Sequence, residues 1–182
     1  MGEEQTGKKI LMVLPGGRFE DNSYQKVRQI MERYGHSVEV ASSKPSIIFG
    51  LNKTRVKPDY FWKDVDFGNY DVIYFPAGIG AQEFFDDKDL HEALRAAHEK
   101  GCMLAAIGNT PLIFARAGLL KGKQATLIFF ESGKLRDSGG EYTGKTLTFD
   151  GNIFTGKGPE VSDKFGLALM KLLKGESLPY VP

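Results

Sequence analysis

Three short runs, "ILMVL" at 10–14, "VIYF" at 72–75 and "CMLAAI" at 102–107, are apolar at every position. A strand with one wet face alternates, so a run without alternation reads as a strand covered on both faces, as in parallel sheets. "SVEVAS" at 37–42 is a further strand candidate. Between these runs the period becomes helical. After "PGGRFED", Tyr24, Val27, Ile30, Met31 and Tyr34 recur on one helical face, with Asp21 or Asn22 placed to cap it and Gly35 to end it. "DKDLHEALRAAHEKG" repeats the pattern, with Asp89 and Glu92 spaced as a capping box and Gly101 as the stop. Strand, helix and strand within one crossover length predict parallel neighbours joined right-handed.

The second half changes texture. Pro111 opens a short helix that Gly118 closes, with Thr110 as its cap. "ATLIFF" at 125–130 is another strand candidate, and the glycine-rich stretch 132–158 alternates more than it repeats helically. Within it, "TLTFDGNIFTG" centres on Asp150 and Gly151, a strong hairpin signal. Pro159 opens a last helix, closing near Gly175, with Val161, Phe165, Leu169, Leu172 and Leu173 facing inward. Residues 44–69 hold two prolines and no sustained period, so loops with a short strand or two are expected. Residues 1–8 read as a flexible charged tail, although "MGEEQT" fits the loose myristoylation pattern, and 9–182 as a single domain. Together these elements predict an α/β sandwich around a mostly parallel sheet, with a short late β-hairpin.

Charge and composition narrow the partners. The formal net charge is +1, and Lys121, Lys123, Lys134 and Arg136 are interrupted by acids and glycines, so neither nucleic acid nor anionic membrane is an expected partner. No run approaches a membrane span or a signal core, and a cytoplasmic location is expected. Cys102 is the single cysteine, which rules out an internal disulfide; at the start of a buried strand it reads as a small core hydrophobe. His36, His91 and His98 lack ligand spacing and read as helix-surface side chains, so no metal is expected. "GIGAQE" at 78–83 holds half a dinucleotide fingerprint, but the third glycine is missing. Glu20 and Asp21 would repel a phosphate at the first helix, and no cofactor is expected.

In such folds ligands bind beyond the carboxyl ends of the strands, where strand order reverses. The loops "PGGRFED", "PAGIGAQ" and "GNTP" belong there. "LAAIGNTP" at 104–111 runs from a buried strand into a helix through a sharp turn at Gly108 and Asn109. Turns of this kind often display a nucleophile in α/β enzymes. This one offers a glycine and an amide.

The order of these motifs resembles the ThiJ/PfpI superfamily, which includes PfpI-type intracellular proteases and the Parkinson-linked protein deglycase. The likeness runs from about Lys9 to Leu173 and rests on "FEDNSY", "YDVIYFPAGIGAQ", "GCMLAAIGNTPLIFARAGLLKGK", "GGEYT" and "DGNIFTGKGP". It implies a flavodoxin-like three-layer sandwich related to class I glutamine amidotransferase domains, and a homodimer or higher homo-oligomer. By this resemblance the position of the nucleophilic cysteine falls on Gly108, and the histidine that follows it in protease-like members falls on Asn109. The family's next glycine falls on Thr110, its supporting glutamate on Ser23, and the histidine of a deglycase-like "GGHYT" on Glu141.

No catalytic residue is assigned, because a thiolate or comparably activated group must attack the family's carbonyl substrates and neither Gly108 nor Asn109 supplies one. What the resemblance leaves is shape. Gly78 and the amides around Gly108 and Asn109 are expected to form an anion- or carbonyl-accepting niche. Beside it, Glu20, Ser23, Asn109, Thr110 and Glu141 would form a small polar pocket for a small-molecule ligand. Two functions stay open. One is a non-catalytic or atypical family member; the other is a cysteine-independent enzyme of hydratase, lyase or hydrolase type, acting on a small carbonyl compound with Glu20 or Glu141 as general base.

Overall fold

A computed structural model describes residues 7–178, so residues 1–6 of the expected tail, with the myristoylation pattern, lie outside the described residues. Lys8 is not loose: its amide donates to His36 Nδ1 at 2.9 Å and its carbonyl accepts from Ser37 N at 3.0 Å. The chain then forms β1 (Lys9–Leu14), α1 (Asp21–Arg33) and β2 (Ser37–Ser42). The aperiodic stretch holds three two-residue strands, β3 (Ile48–Phe49), β4 (Arg55–Val56) and β5 (Tyr60–Phe61). Next come β6 (Val72–Phe75), α2 (Lys88–Glu99), β7 (Met103–Ile107) and α3 (Pro111–Arg116). The last part comprises β8 (Gln124–Ala125), α4 (Ser132–Asp137), β9 (Glu141–Tyr142), β10 (Leu147–Asp150), β11 (Ile153–Gly156) and α5 (Ser162–Leu173).

Seven strands make one sheet in the order β10-β11-β7-β6-β1-β2-β5, in which β10 alone runs antiparallel. Every residue of β6, β7 and β11 is buried, as unalternating runs require. Alternate side chains divide between the faces. Ile10, Met12 and Leu14 join Tyr24, Val27 and Met31 of α1 and Phe165 and Leu169 of α5 on one face, while Leu11 and Val13 join Leu90 and Leu94 of α2 and Leu112 of α3 on the other. The result is a three-layer, mostly parallel flavodoxin-like α/β sandwich. The chain leaves β1 toward β2 and returns as β6 on the opposite side of β1, so strand order reverses between β1 and β6.

Several local expectations change. The caps are Glu20 and Asp87, which accept from amides two or three residues on, rather than Asp21, Asn22 or an Asp89–Glu92 box. Tyr34 lies past the end of α1 and is 49% exposed. Of "ATLIFF" only Ala125 pairs, together with Gln124 before it, because β10 already occupies the edge of β11. Thr126 N therefore finds the Thr155 hydroxyl at 3.0 Å, and the chain turns away through residues 129–131. The glycine-rich stretch contains α4, too short to show a period and ended by Gly139 at φ +83°. The hairpin loop is Gly151 and Asn152, one residue beyond the expected centre, since Asp150 pairs with Ile153. His91 is buried with Nε2 3.2 Å from the Phe84 carbonyl, so neither it nor His36 is a solvated surface side chain.

Asp21 gains a different role. Its carboxylate, 4% exposed, accepts from Asn52 N at 2.8 Å and Thr54 N at 2.9 Å, tying the 50–54 loop to α1. Burial alone would push this carboxyl up, but the Thr54 hydroxyl and the Asn52 and Thr54 amides outweigh burial and hold it below the usual aspartate range. A folded-state pKa below the unfolded one contributes stability that is present above about pH 4 and lost as pH falls through the folded value. Asp21→Asn is therefore expected to be less stable than the native chain by about 1–2 kcal/mol at pH 7. Urea denaturation across pH should show this gap closing in acid.

Candidate functional site

The reversal point between β1 and β6 opens into a cavity of about 290 Å³ beyond the carboxyl ends of the strands. Gly108, at the end of β7, forms its floor together with Ala77, Gly78 and Asn109. The turn is tight: Gly108 has φ +72°, and a Cβ built on it would lie 2.8 Å from the Ala77 Cβ. Its N–H donates to the Gly156 carbonyl at 3.0 Å and its carbonyl accepts from Ile128 N at 2.9 Å, so the turn is held from the strand side and from the chain after β8.

Asn109 closes on the neighbouring loop. Its Oδ1 accepts from Gly78 N at 3.0 Å and its Nδ2 donates to the Gly78 carbonyl at 2.8 Å. Gly78 has φ +135° and packs its Cα face against the backbone of Arg18, Phe19 and Glu20. Two amides expected to form an anion niche, those of Gly78 and Gly108, are thus engaged within the protein.

The other expected pocket residues separate into three groups. Glu20 borders the cavity while its two oxygens cap α1, on Asn22 N at 3.1 Å and Ser23 N at 2.7 Å. Ser23 and Thr110 are fully buried beneath the floor. The Ser23 hydroxyl accepts from Ala77 N and donates to the Glu20 carbonyl, both at 3.1 Å, and so pins α1 to the loop after β6. Thr110 makes no side-chain cap for α3; its hydroxyl accepts from Ile107 N at 3.1 Å and lies 2.9 Å from the Phe75 carbonyl. Glu141 stands apart. It is exposed on β9 opposite Gln124, whose amide donates to Asp150, and Asp150 is level with Leu104 near the amino end of β7. That is the end of the sheet away from Gly108.

The cavity wall also contains Leu51, Ile79, Gln82, Ile128, Phe130, Glu131 and Pro159, which the sequence did not place at the site. Ile128, Phe130 and Glu131 arrive through the Ile128 N to Gly108 carbonyl contact. The sequence signal that existed was an acid directly after two adjacent phenylalanines, which proved 69% and 87% exposed. Cys102 is 4% exposed at the amino end of β7, with Sγ 3.6 Å from the Phe67 carbonyl, and burial pushes its thiol above the ordinary value. The groups that can act in the cavity are thus carboxylates and amides. Among the described residues no cluster of three His, Cys, Asp or Glu could hold a metal ion.

Comparison with known proteins agrees with this architecture. A family model described as the DJ-1/PfpI family matches residues 8–172. The chain is similar to an uncharacterized protein of Methanocaldococcus jannaschii, at 29% identity over 175 residues, covering 94% of this chain and 85% of that protein. It is 25% identical over 164 residues to the deglycase PfpI of Pyrococcus furiosus, covering 90% and 99% of the two chains. A ThiJ/PfpI domain protein from Brachyspira murdochii superposes with a TM-score of 0.89 at 25% identity, covering 94% of this chain and 99% of that one.

Proposed function

The chain belongs to the DJ-1/PfpI family, and within it we propose a non-catalytic or atypical member that binds a small polar ligand in the cavity at the Gly108 turn. The observation that carries this reading is the turn itself. A residue without a side chain stands at φ +72°, and the space a side chain would need is taken by Ala77. Nucleophilic catalysis of the thiol type needs an exposed, ionised sulfur, and Cys102 is buried at the other end of its strand.

The protein acts in this reading as a cytoplasmic homodimer or higher homo-oligomer. The adjacent exposed rings of Phe129 and Phe130 support assembly, since monomers seldom leave large apolar groups uncovered side by side. The buried free thiol suits a reducing compartment. Among the described residues, no helix is long and apolar enough to cross a membrane.

A relative named a deglycase makes cysteine chemistry the activity to test against. Methylglyoxal and a peptide substrate, offered to the native chain and to Cys102→Ser, should be consumed no faster than in buffer. Turnover that disappears in Cys102→Ser would refute the non-catalytic reading. A second reading takes Glu20 as general base for proton transfer or hydration of a small carbonyl compound, supported by the place of its carboxylate at the cavity. Its signature is a native activity lost in Glu20→Gln at a temperature where the melting curve, lowered by the weaker α1 cap, still shows a folded chain.

A further inference from the structure

Resting on the ligand-binding reading above, we propose that the cavity takes a small organic ammonium ion with an apolar body, held chiefly by Glu131. An anion site needs free N–H groups or cations. Here the Gly78 amide is consumed by Asn109 Oδ1 and the Gly108 amide by the Gly156 carbonyl, which leaves the Asn109 amide as the one N–H of this turn on offer. Among the described residues lining the cavity there is no lysine, arginine or histidine, whereas two carboxylates, Glu20 and Glu131, border it. Two carboxylates against the one lysine that pairs with Glu131 leave the cavity edge with a net negative charge, and partial burial strengthens its effect relative to open water.

The two carboxylates differ in what they can offer. Glu20 is committed to the amides of Asn22 and Ser23, which fix its charge in place. Glu131 Oε2 is closed off from solvent and faces a single donor, the Lys134 ammonium. Lys134 Nζ lies 2.7 Å from that oxygen as an ion pair, and the lysine side chain is 54% exposed. An ammonium in the cavity would take the place of that lysine on Oε2. A half-exposed lysine is weakly held and free to swing into water, leaving Oε2 to an incoming ammonium.

The rest of the wall sets the body of the ligand. Leu51 and Ile79 are each 45% exposed at the cavity, and Phe130 is 87% exposed. They would cover an aliphatic or aromatic group, and a cation near the Phe130 face gains a further attraction. At about 290 Å³ the cavity is at the small end of ligand pockets, which sets the scale at a single ring with a short chain.

Titration calorimetry of the full chain with 2-phenylethylammonium, 2-phenylethanol and phenylacetate separates the alternatives by charge at nearly constant shape. The ammonium is expected to bind about 10-fold tighter than the alcohol, with phenylacetate weakest, and to shift the amide signals of Gly108 and Asn109. Glu131→Gln should weaken the ammonium about 10-fold, and Lys134→Met should strengthen it about 2- to 5-fold, with melting curves confirming that both variants fold. Equal or tighter binding of the alcohol or phenylacetate overturns the ammonium assignment and leaves the ligand-binding reading standing. The same holds if Glu131→Gln has no effect. Absence of binding by all three up to about 10 mM overturns both. Cysteine-dependent methylglyoxal turnover would instead overturn the non-catalytic reading alone.

Discussion

Gly108→Cys is expected to destabilise the fold by about 2–6 kcal/mol and to confer no methylglyoxal turnover. Two separate costs add. At φ +72° a residue with a Cβ is strained by about 1–3 kcal/mol, and the Cβ meets the Ala77 Cβ at 2.8 Å, an overlap of the kind that costs about 1–3 kcal/mol in a packed site. Ala77→Gly removes only the second cost. In a double-mutant cycle, Gly108→Cys should therefore be cheaper in the Ala77→Gly background by about 1–3 kcal/mol. Additivity within about 0.5 kcal/mol, measured by urea denaturation of the four chains, would contradict this coupling. Turnover stays absent because the new sulfur would lack activation. Ser23, buried below the floor, carries no charge, and no imidazole lines the cavity among the described residues.

Gly78→Ala should be costly in a way no single partner change can repair, at about 3–5 kcal/mol. A Cβ there would come within 2.7 Å of Arg18 O, Glu20 N and Phe19 Cα, all backbone atoms of the loop after β1. Its φ of +135° adds conformational strain, and the Asn109 side chain holds both its N–H and its carbonyl, so the loop cannot swing away without losing two hydrogen bonds. Gly118→Ala provides an internal control. Gly118 has φ +78° but nothing within 4 Å of its Cβ position, so its replacement should cost only about 1 kcal/mol. Similar losses for the two variants in thermal or urea melts would mean that the close approach of the two loops contributes little.

The layers were legible because their physical signal is strong. Residues 72–75 and 102–107 lack alternation only because helices cover both faces of β6 and β7. Cap identity was displaced by one or two residues because Glu20 and Asp87 compete with neighbouring acids for the same amides, and backbone direction decides between them. The edge of the sheet was less legible. Whether residues 125–130 pair depends on a competitor, β10, nearly twenty residues downstream.

The same distinction governs the site. Glu20, Gly78, Gly108 and Asn109 lie on loops that the sheet itself carries to its carboxyl end, so their convergence follows from topology. Glu131 enters only through a backbone contact at Gly108, and Glu141 is carried away by pairing with Gln124, neither of which has a local signature. The spending of the Gly78 amide on Asn109 could be known only from the side chain's final position.

A folded chain of this structure presents no reactive thiolate. Labelling of the native chain with iodoacetamide near pH 7, followed over time by mass spectrometry, tests it most directly. With its thiol 4% exposed and pushed up by burial, Cys102 should stay unlabelled in the folded protein and react once urea unfolds it. Rapid labelling of the folded chain would contradict the account.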